Sequence, residues 1–193
     1  NDGKINASEL VGNVDVVVSL PVDAVAGDVL TVTDGTTTKT ITLTATQIAA
    51  GNVLLDFAPP ADGGTITVTA SVTDQAGNTS SNGTDTAVRD TTRLAAPGVT
   101  ITEDTNNNGE LSAAEITANA DGDIDVRVTL PSGVVAGDIL TVVAGAVTRT
   151  VIISSTDITN TFADVTFAVP AQGTTLSVSA TIQDAAGNVS PAG

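Results

Sequence analysis

Residues Asp104 to Glu115, D-T-N-N-N-G-E-L-S-A-A-E, place oxygen-bearing side chains at alternate positions of a short polar run. Asp104, Asn106, Asn108, Gly109 and Glu115 match the spacing D-x-[DN]-x-[DN]-G-x5-E of a calcium-binding loop. Such a hard cation takes about six to eight oxygen ligands, so a tight turn must aim several oxygens at one point. Asp104, Asn106 and Asn108 would supply three, Glu110 its backbone carbonyl, and Ser112 its hydroxyl, directly or through water. Glu115 would close the shell with both carboxylate oxygens, and Leu111 would take the inward apolar position. Gly109 permits the sharp turn. The competing reading is a polar turn, rich in Asn and Gly, that only reverses the chain.

Part of this loop recurs at the start of the sequence, where Asp2, Gly3, Lys4, Ile5, Asn6 and Glu9 repeat its second half. Lys4 falls at the position of the backbone-carbonyl ligand. The opening ligands of that copy would precede Asn1, so the site is expected to be incomplete and the chain a piece of something longer. Glu103 is a further candidate, either for the full loop or for a second ion. Asp121 and Asp123, in A-D-G-D-I-D, are a candidate pair set against a plain Asp-Gly turn. Asp74 and Asp184, in D-Q-A-G-N and D-A-A-G-N, suit either an Asx turn or a calcium site, and a domain junction would gather the first copy's loop around Asp2 and Glu9, the linker Asp90, and Asp184, Asn188 or Asp138 of the second copy. Asp28 and Asp138, each in A-G-D-[VI]-L-T-V, either cap a turn or add ligands.

The elements that must hold these groups come twice. A-G-D-V-L-T-V from Ala26 matches A-G-D-I-L-T-V from Ala136, an offset of 110 that holds without a gap from Asp15/Asp125 to Ser80/Ser190. Upstream the offset is 106, pairing D-G-K-I-N-A-S-E-L with N-G-E-L-S-A-A-E-I. A repeat of this length is a domain, not a solenoid unit. Within it apolar residues alternate, as at Ile124, Val126, Val128 and Leu130, with Asp125, Arg127 and Thr129 between them. Period-two runs of Val, Ile and Thr bounded by Gly, Pro and Asp indicate antiparallel strands with one buried face.

About seven such runs per copy predict an all-β chain of two tandem immunoglobulin-like antiparallel sandwiches joined by a short linker. The expected domains are residues 1–90, lacking a first strand A, and 91–193, lacking a last strand. In the second copy strands are expected at 99–101, 124–130, 139–143, 147–153, 165–167 and 176–183, and in the first copy the last strand at 84–88. Single helical turns are expected in A-T-Q-I-A-A-G and S-T-D-I-T, and no helix elsewhere. The full loop then joins strands A and B, at the pole of the sandwich where the last strand leaves.

Composition narrows the function classes. Twenty-two acidic residues against six basic ones give a formal net charge of −16, which disfavours a nucleic-acid partner and favours cations. Cys, His, Met, Trp and Tyr are absent, removing disulfides, thiolate nucleophiles, the usual zinc ligands and the commonest general base. Mean hydropathy of +0.27 argues against disorder. No apolar run approaches the roughly 20 residues of a membrane span, so no direct membrane insertion is expected. Nothing pairs a nucleophile with a base, so no enzyme is expected.

The order I-T-E-D-T-N-N-N-G-E-L-S-A-A-E-I, L-P-S-G-V-V-A-G-D-I-L-T-V, D-A-A-G-N-V-S, with T-D-T-A-V-R-D-T-T in the first copy, resembles the bacterial immunoglobulin-like repeats of giant surface adhesins. These are the biofilm-associated and RTX-type adhesins exported by type I secretion. The resemblance spans nearly the whole chain. It implies extracellular repeats at the bacterial cell surface, stiffened by Ca2+ at junctions with neighbouring repeats of the same chain. Such repeats form a stalk between the envelope and a distal head that serves adhesion or biofilm formation. It would carry calcium ligation to Asp104, Glu115, Asp90 and Asp184. Asn at 106 and 108, where the family often has Asp, implies weaker binding. The alternative is that the repeats themselves grip a carbohydrate, ice or protein ligand through Thr-rich faces such as T-V-T-D-G-T-T-T-K-T-I-T-L-T. Sugar sites usually present Trp or Tyr platforms, which are absent here, and outward Thr is ordinary for strands.

Overall fold

Alternation of Val, Ile and Thr with a polar partner leaves each strand one wettable face, and two such sheets close over an aliphatic core. The computed structural model describes residues 2–118 and 122–193. It divides into two units, Asn1–Thr92 and Arg93–Gly193. In unit 1 a two-stranded sheet of β2 (Val14–Ser19) and β5 (Asn52–Phe57) faces a five-stranded one. The latter runs in the order β1 (Lys4–Ile5), β7 (Gly83–Arg89), β6 (Thr65–Thr73), β3 (Val29–Thr33) and β4 (Thr38–Thr42). Leu30, Val32, Leu43, Val53, Phe57, Ile66 and Val68 form the core between them.

In unit 2, β8 (Gly98–Ile101), β9 (Asp123–Thr129) and β12 (Phe162–Ala168) form one sheet, with β9 in the middle. The facing sheet holds β11 (Val147–Ile152), β10 (Ile139–Ala144) and β13 (Val178–Gln183), with β10 in the middle. Among the described residues, all strand pairings are antiparallel except β1 with β7. Ile124, Val126, Val128, Leu140, Val142 and Ile182 are fully buried between the sheets. These are all-β sandwiches, and the strands fall close to the stretches that alternation marks. The main differences are at β12, which begins three residues before the expected 165, and β13, which begins at 178 instead of 176.

Unit 1 has no strand pairing with the outer edge of β2 among the described residues, where unit 2 has β8 on β9. Its N-terminal residues instead form β1, parallel to β7, with Lys4 beside Val88 and Ile5 beside Arg89. At the other end, Gly193 exchanges hydrogen bonds with Ala180 (3.0 and 3.2 Å), as Gly83 pairs with Ala70 in unit 1.

Two short helices stand where sequence placed single turns: α1 (Ala45–Ala50), between β4 and β5, and α3 (Ser155–Asn160), between β11 and β12. Each starts with a capping box, Thr44 with Gln47 and Ser154 with Asp157, in which side chain and backbone satisfy each other's free donors. Each ends in a left-handed residue, Gly51 (φ 70°) or Thr161 (φ 66°). A further helix, α2 (Ala113–Ala118), contradicts the expectation of none elsewhere. Ser112 and Glu115 explain it: the Ser112 N–H donates to Glu115 Oε2 (2.9 Å) and the Glu115 N–H to Ser112 Oγ (3.2 Å), again a capping box.

Candidate calcium loop and the carboxylates around it

The loop begins where β8 ends and finishes in the first turn of α2. Its turn is built by side-chain oxygens that accept from backbone amides further along. Asp104 Oδ1 accepts from the Asn108 N–H (3.0 Å) and Oδ2 from the Gly109 N–H (2.9 Å). Asn106 Oδ1 accepts from the same Asn108 N–H (3.0 Å), and Asn108 Oδ1 from the Glu110 N–H (2.8 Å). Positive φ at Asn107 (53°) and Gly109 (80°) makes the double reversal this requires. Asp104 and Asn106 thus share one amide hydrogen, so their oxygens converge, and each oxygen keeps a second lone pair.

Glu115 crosses back to the start of the loop. It is buried, and besides the Ser112 N–H its carboxylate accepts from the Thr105 hydroxyl (3.4 Å). Hydrogen bonds from Ser112, backbone first and then hydroxyl, hold its pKa below the usual glutamate value. Glu103 is 4% exposed, and its Oε1 accepts from the Asp125 N–H of β9 (2.9 Å), which anchors the entrance of the loop to the sheet. Asp104 and Glu115 are the charged groups of the candidate shell; amide and carbonyl oxygens and the Ser112 hydroxyl make up the rest. Among the described residues no group of three or more Asp, Glu, His or Cys forms a ready-made metal cluster. The all-oxygen donor set, with two carboxylates, fits a hard cation held weakly and fits no softer metal.

The partial loop of unit 1 keeps the exit half of this arrangement. Asn6 and Glu9 form the same reciprocal cap as Ser112 and Glu115, with Asn6 N–H to Glu9 Oε2 at 2.9 Å and Glu9 N–H to Asn6 Oδ1 at 3.1 Å. Asp2 Oδ1 accepts from the Lys4 N–H (2.9 Å), and Lys4 lies in β1. The Asp90 N–H donates to the Ile5 carbonyl (3.0 Å), so the parallel pairing brings Asp90 beside this partial loop.

Asp74 and Asp184 each clamp their own turn. Asp74 accepts from the Asn78 backbone and side-chain N–H groups (both 2.8 Å), and its pKa is lowered, chiefly by the Asn78 side chain. Asp184 accepts from the amides of Ala186 and Asn188 (both 2.9 Å) and from Asn188 Nδ2 (3.0 Å). Those are the contacts of an Asx turn. Asp28 and Asp138, 3% and 2% exposed, each accept from the amide three residues earlier, Val25 or Val135 (2.9 Å). The other carboxylate oxygen of each is buried with no hydrogen-bond partner among the described residues. Asp123 opens β9, and Asp121 lies outside the described residues.

Sequence reasoning missed Asp62. It accepts from the Thr91 N–H and hydroxyl (both 2.6 Å) and from the Thr92 hydroxyl, and sits 3.8 Å from Arg89 Nε. These contacts, the Thr91 and Thr92 hydroxyls foremost, lower its pKa from 3.8 to about 2. Asp62 therefore pins the chain as it leaves β7, and no local pattern marks a contact made 29 and 30 residues away.

No family model and no curated protein matches the chain. Among solved structures it is similar to that of a 1.5-MDa bacterial ice-binding adhesin, with 20% identity over 98% of this chain and 58% of the other, at a TM-score of 0.46. It is also similar to the FN1–FN3 domains of chicken CNTN1, with 14% identity over 98% of this chain and 62% of that one, at a TM-score of 0.42. For the chicken interferon gamma receptor alpha chain the values are 12%, 86%, 81% and 0.36. The chain spans less than two thirds of the first two structures. At such identities and scores, the sandwich assignment rests on the sheets themselves.

Proposed function

We propose that the chain is a pair of calcium-binding spacer repeats from a bacterial cell-surface adhesin, acting outside the cell and without catalysis. The observation that carries the reading is the convergence of the Asp104 and Asn106 oxygens on one amide hydrogen, in a turn that Asn108 continues and that Glu115 meets from the far end of the loop through Thr105. An ion held there would tie the end of β8 to the start of α2 and neutralise carboxylates that otherwise repel. The motif order resembling adhesin repeats supports the setting, and the acidic charge supports a cationic partner. Calcium bridging to neighbouring repeats, through Asp90 and Asp184, and export by a type I system belong to the same proposal. With two charged ligands the affinity expected is that of extracellular modules, Kd on the order of 10⁻⁴–10⁻³ M. At a tenfold excess over Kd one site adds about 1.4 kcal/mol.

Glu115→Gln separates this reading from a polar turn. Glutamine can serve in a capping box, so α2 keeps its cap while the loop loses a charged ligand. Calorimetric titration with calcium chloride, and melting in calcium against chelator, should show binding and a raised Tm for unit 2 in the parent. The variant should lose most of both the binding and the calcium-induced rise in Tm, on top of a smaller drop in Tm that is the same in chelator. A parent that neither binds calcium nor melts higher in it would leave only the turn. Small-angle scattering in calcium and in chelator tests the spacer role, which fails if the two profiles coincide.

A further inference from the structure

Two Asn-Gly pairs occur in the chain, Asn108-Gly109 in the loop and Asn82-Gly83 at the start of β7. An asparagine before glycine can cyclise: the next amide nitrogen attacks the side-chain carbonyl carbon, and no Cβ stands in its way. The attack is helped by a base that takes the hydrogen of that nitrogen and by a donor that stabilises the carbonyl oxygen. Around Asn108 both are in place. The Gly109 N–H donates to Asp104 Oδ2 (2.9 Å), and Asn108 Oδ1 accepts from the Glu110 N–H (2.8 Å). The second contact folds the Asn108 side chain along its own following peptide, where the attacking nitrogen lies. Asn108, Gly109 and Glu110 are exposed, so water has access. Asn82 is exposed too, but it makes no side-chain hydrogen bond among the described residues, and Gly83 is engaged in β7 opposite Ala70.

The other copy shows that the turn accepts the product. By the offset of 106, Asn108 and Gly109 correspond to Asp2 and Gly3. Asp2 Oδ1 accepts from the Lys4 N–H (2.9 Å) as Asn108 Oδ1 accepts from the Glu110 N–H, and the two glycines have φ of 76° and 80°. An aspartate therefore sits at this position with the same contact.

We propose that Asn108 is a self-deamidation site, converted to aspartate by the loop that holds it. The lone pair of the Gly109 nitrogen forms a bond to Asn108 Cγ while its hydrogen passes to Asp104 Oδ2, and the Glu110 N–H holds the oxyanion on Oδ1. The Cγ–Nδ2 bond then breaks, the proton moves from Asp104 to Nδ2, and ammonia leaves behind a cyclic imide. One water then adds to the imide. The Glu110 N–H polarises the Cγ carbonyl and so directs the water there. The bond from Cγ to the Gly109 nitrogen breaks, that nitrogen regains a proton, and the side chain becomes a carboxylic acid, which ionises. Asp104 ends as it began. The conversion stands on these hydrogen bonds; only its consequence, a third charged ligand for the loop, rests on the calcium reading.

The test keeps the intact chain in chelator, folded or unfolded in guanidinium chloride, in water enriched in heavy oxygen, and follows both Asn-Gly pairs by peptide mass spectrometry. Folded Asn108 should react at least about tenfold faster than folded Asn82, and than itself in the unfolded chain, taking up one heavy oxygen. Its product should be mainly aspartate, whereas the unfolded chain should also yield isoaspartate by water attack on the other imide carbonyl. Asp104→Asn removes the proton acceptor and should bring folded Asn108 down to the unfolded rate. Where that variant loosens the loop, seen as faster exchange of the Glu110 amide, the folded and unfolded rates of the parent decide. Folded Asn108 reacting no faster than unfolded overturns the site, as does an unchanged rate in Asp104→Asn or a product that is mainly isoaspartate.

Discussion

At Asp62 one carboxylate gathers an amide, two hydroxyls and a guanidinium, all from the segment by which the chain leaves β7. Those donors favour the ionised form, so its folded pKa of about 2 lies below an ordinary 3.8. The stability it contributes is thus fully present above about pH 4 and is lost as pH falls toward 2. Asp62→Asn should lower the Tm of unit 1 at neutral pH and flatten its decline between pH 4 and 2, as thermal melts across that range would read. Unit 2 has Gln172 at the matching position, so its own acid response should not change. Glu115, also lowered, acts in the same direction in unit 2. A carboxylate with donors already arranged around it is also a prepared ligand, because the turn that holds it has been ordered before any ion arrives.

Local rules carry most of the short elements, and where two rules share residues the sequence is ambiguous. The strands were legible because burial alternates residue by residue, as in β9, where Ile124, Val126 and Val128 are buried and Arg127 and Thr129 are not. α2 was not legible: Ser112 and Glu115 satisfy a helix cap and the last positions of a calcium loop at once, and the loop reading absorbed the helix. Of the candidate ligands, the turn from Asp104 to Asn108 follows from side chains bonding to amides two to five residues on, which spacing alone conveys. The pairing of β1 with β7, and hence of Asp90 with the partial loop, needs contacts across more than 80 residues and left no local mark. α1 and α3 supply a direct comparison. Thr161 holds a left-handed φ that Gly51 adopts freely in the other copy, and that conformation costs a branched residue about 1–2 kcal/mol. Glycine's extra chain entropy, about 0.5–1 kcal/mol, offsets part of the relief. Thr161→Gly should therefore stabilise unit 2 by about 0.5–1 kcal/mol in urea unfolding, and Gly51→Thr should destabilise unit 1.

Taken as a whole, the molecule is an aliphatic, acidic chain, and four of its six cations are drawn into its own contacts. Lys39 pairs with Asp56 (2.8 Å) and lies over the Phe57 ring; Arg127 forks onto Asp164 (both 2.9 Å) and covers Phe162. Arg149 sits over Phe167 at the position equivalent to Lys39, and Arg89 donates to the Pro60 carbonyl (2.8 Å). The acidic surface is correspondingly short of partners of its own, which is why added cations should matter to it. Engaged side chains on paired strands are also poor substrates. Trypsin cuts after Lys and Arg only where the chain can enter its cleft extended, and Arg93 is exposed in an irregular stretch between β7 and β8. Brief digestion of the folded chain should therefore cleave first after Arg93 and release two resistant halves, with early cuts at Arg127 or Arg149 counting against it by mass spectrometry. For a protein exposed to digestive enzymes, placing four of its six cleavable side chains against a ring, a carboxylate or a carbonyl amounts to armour without disulfides.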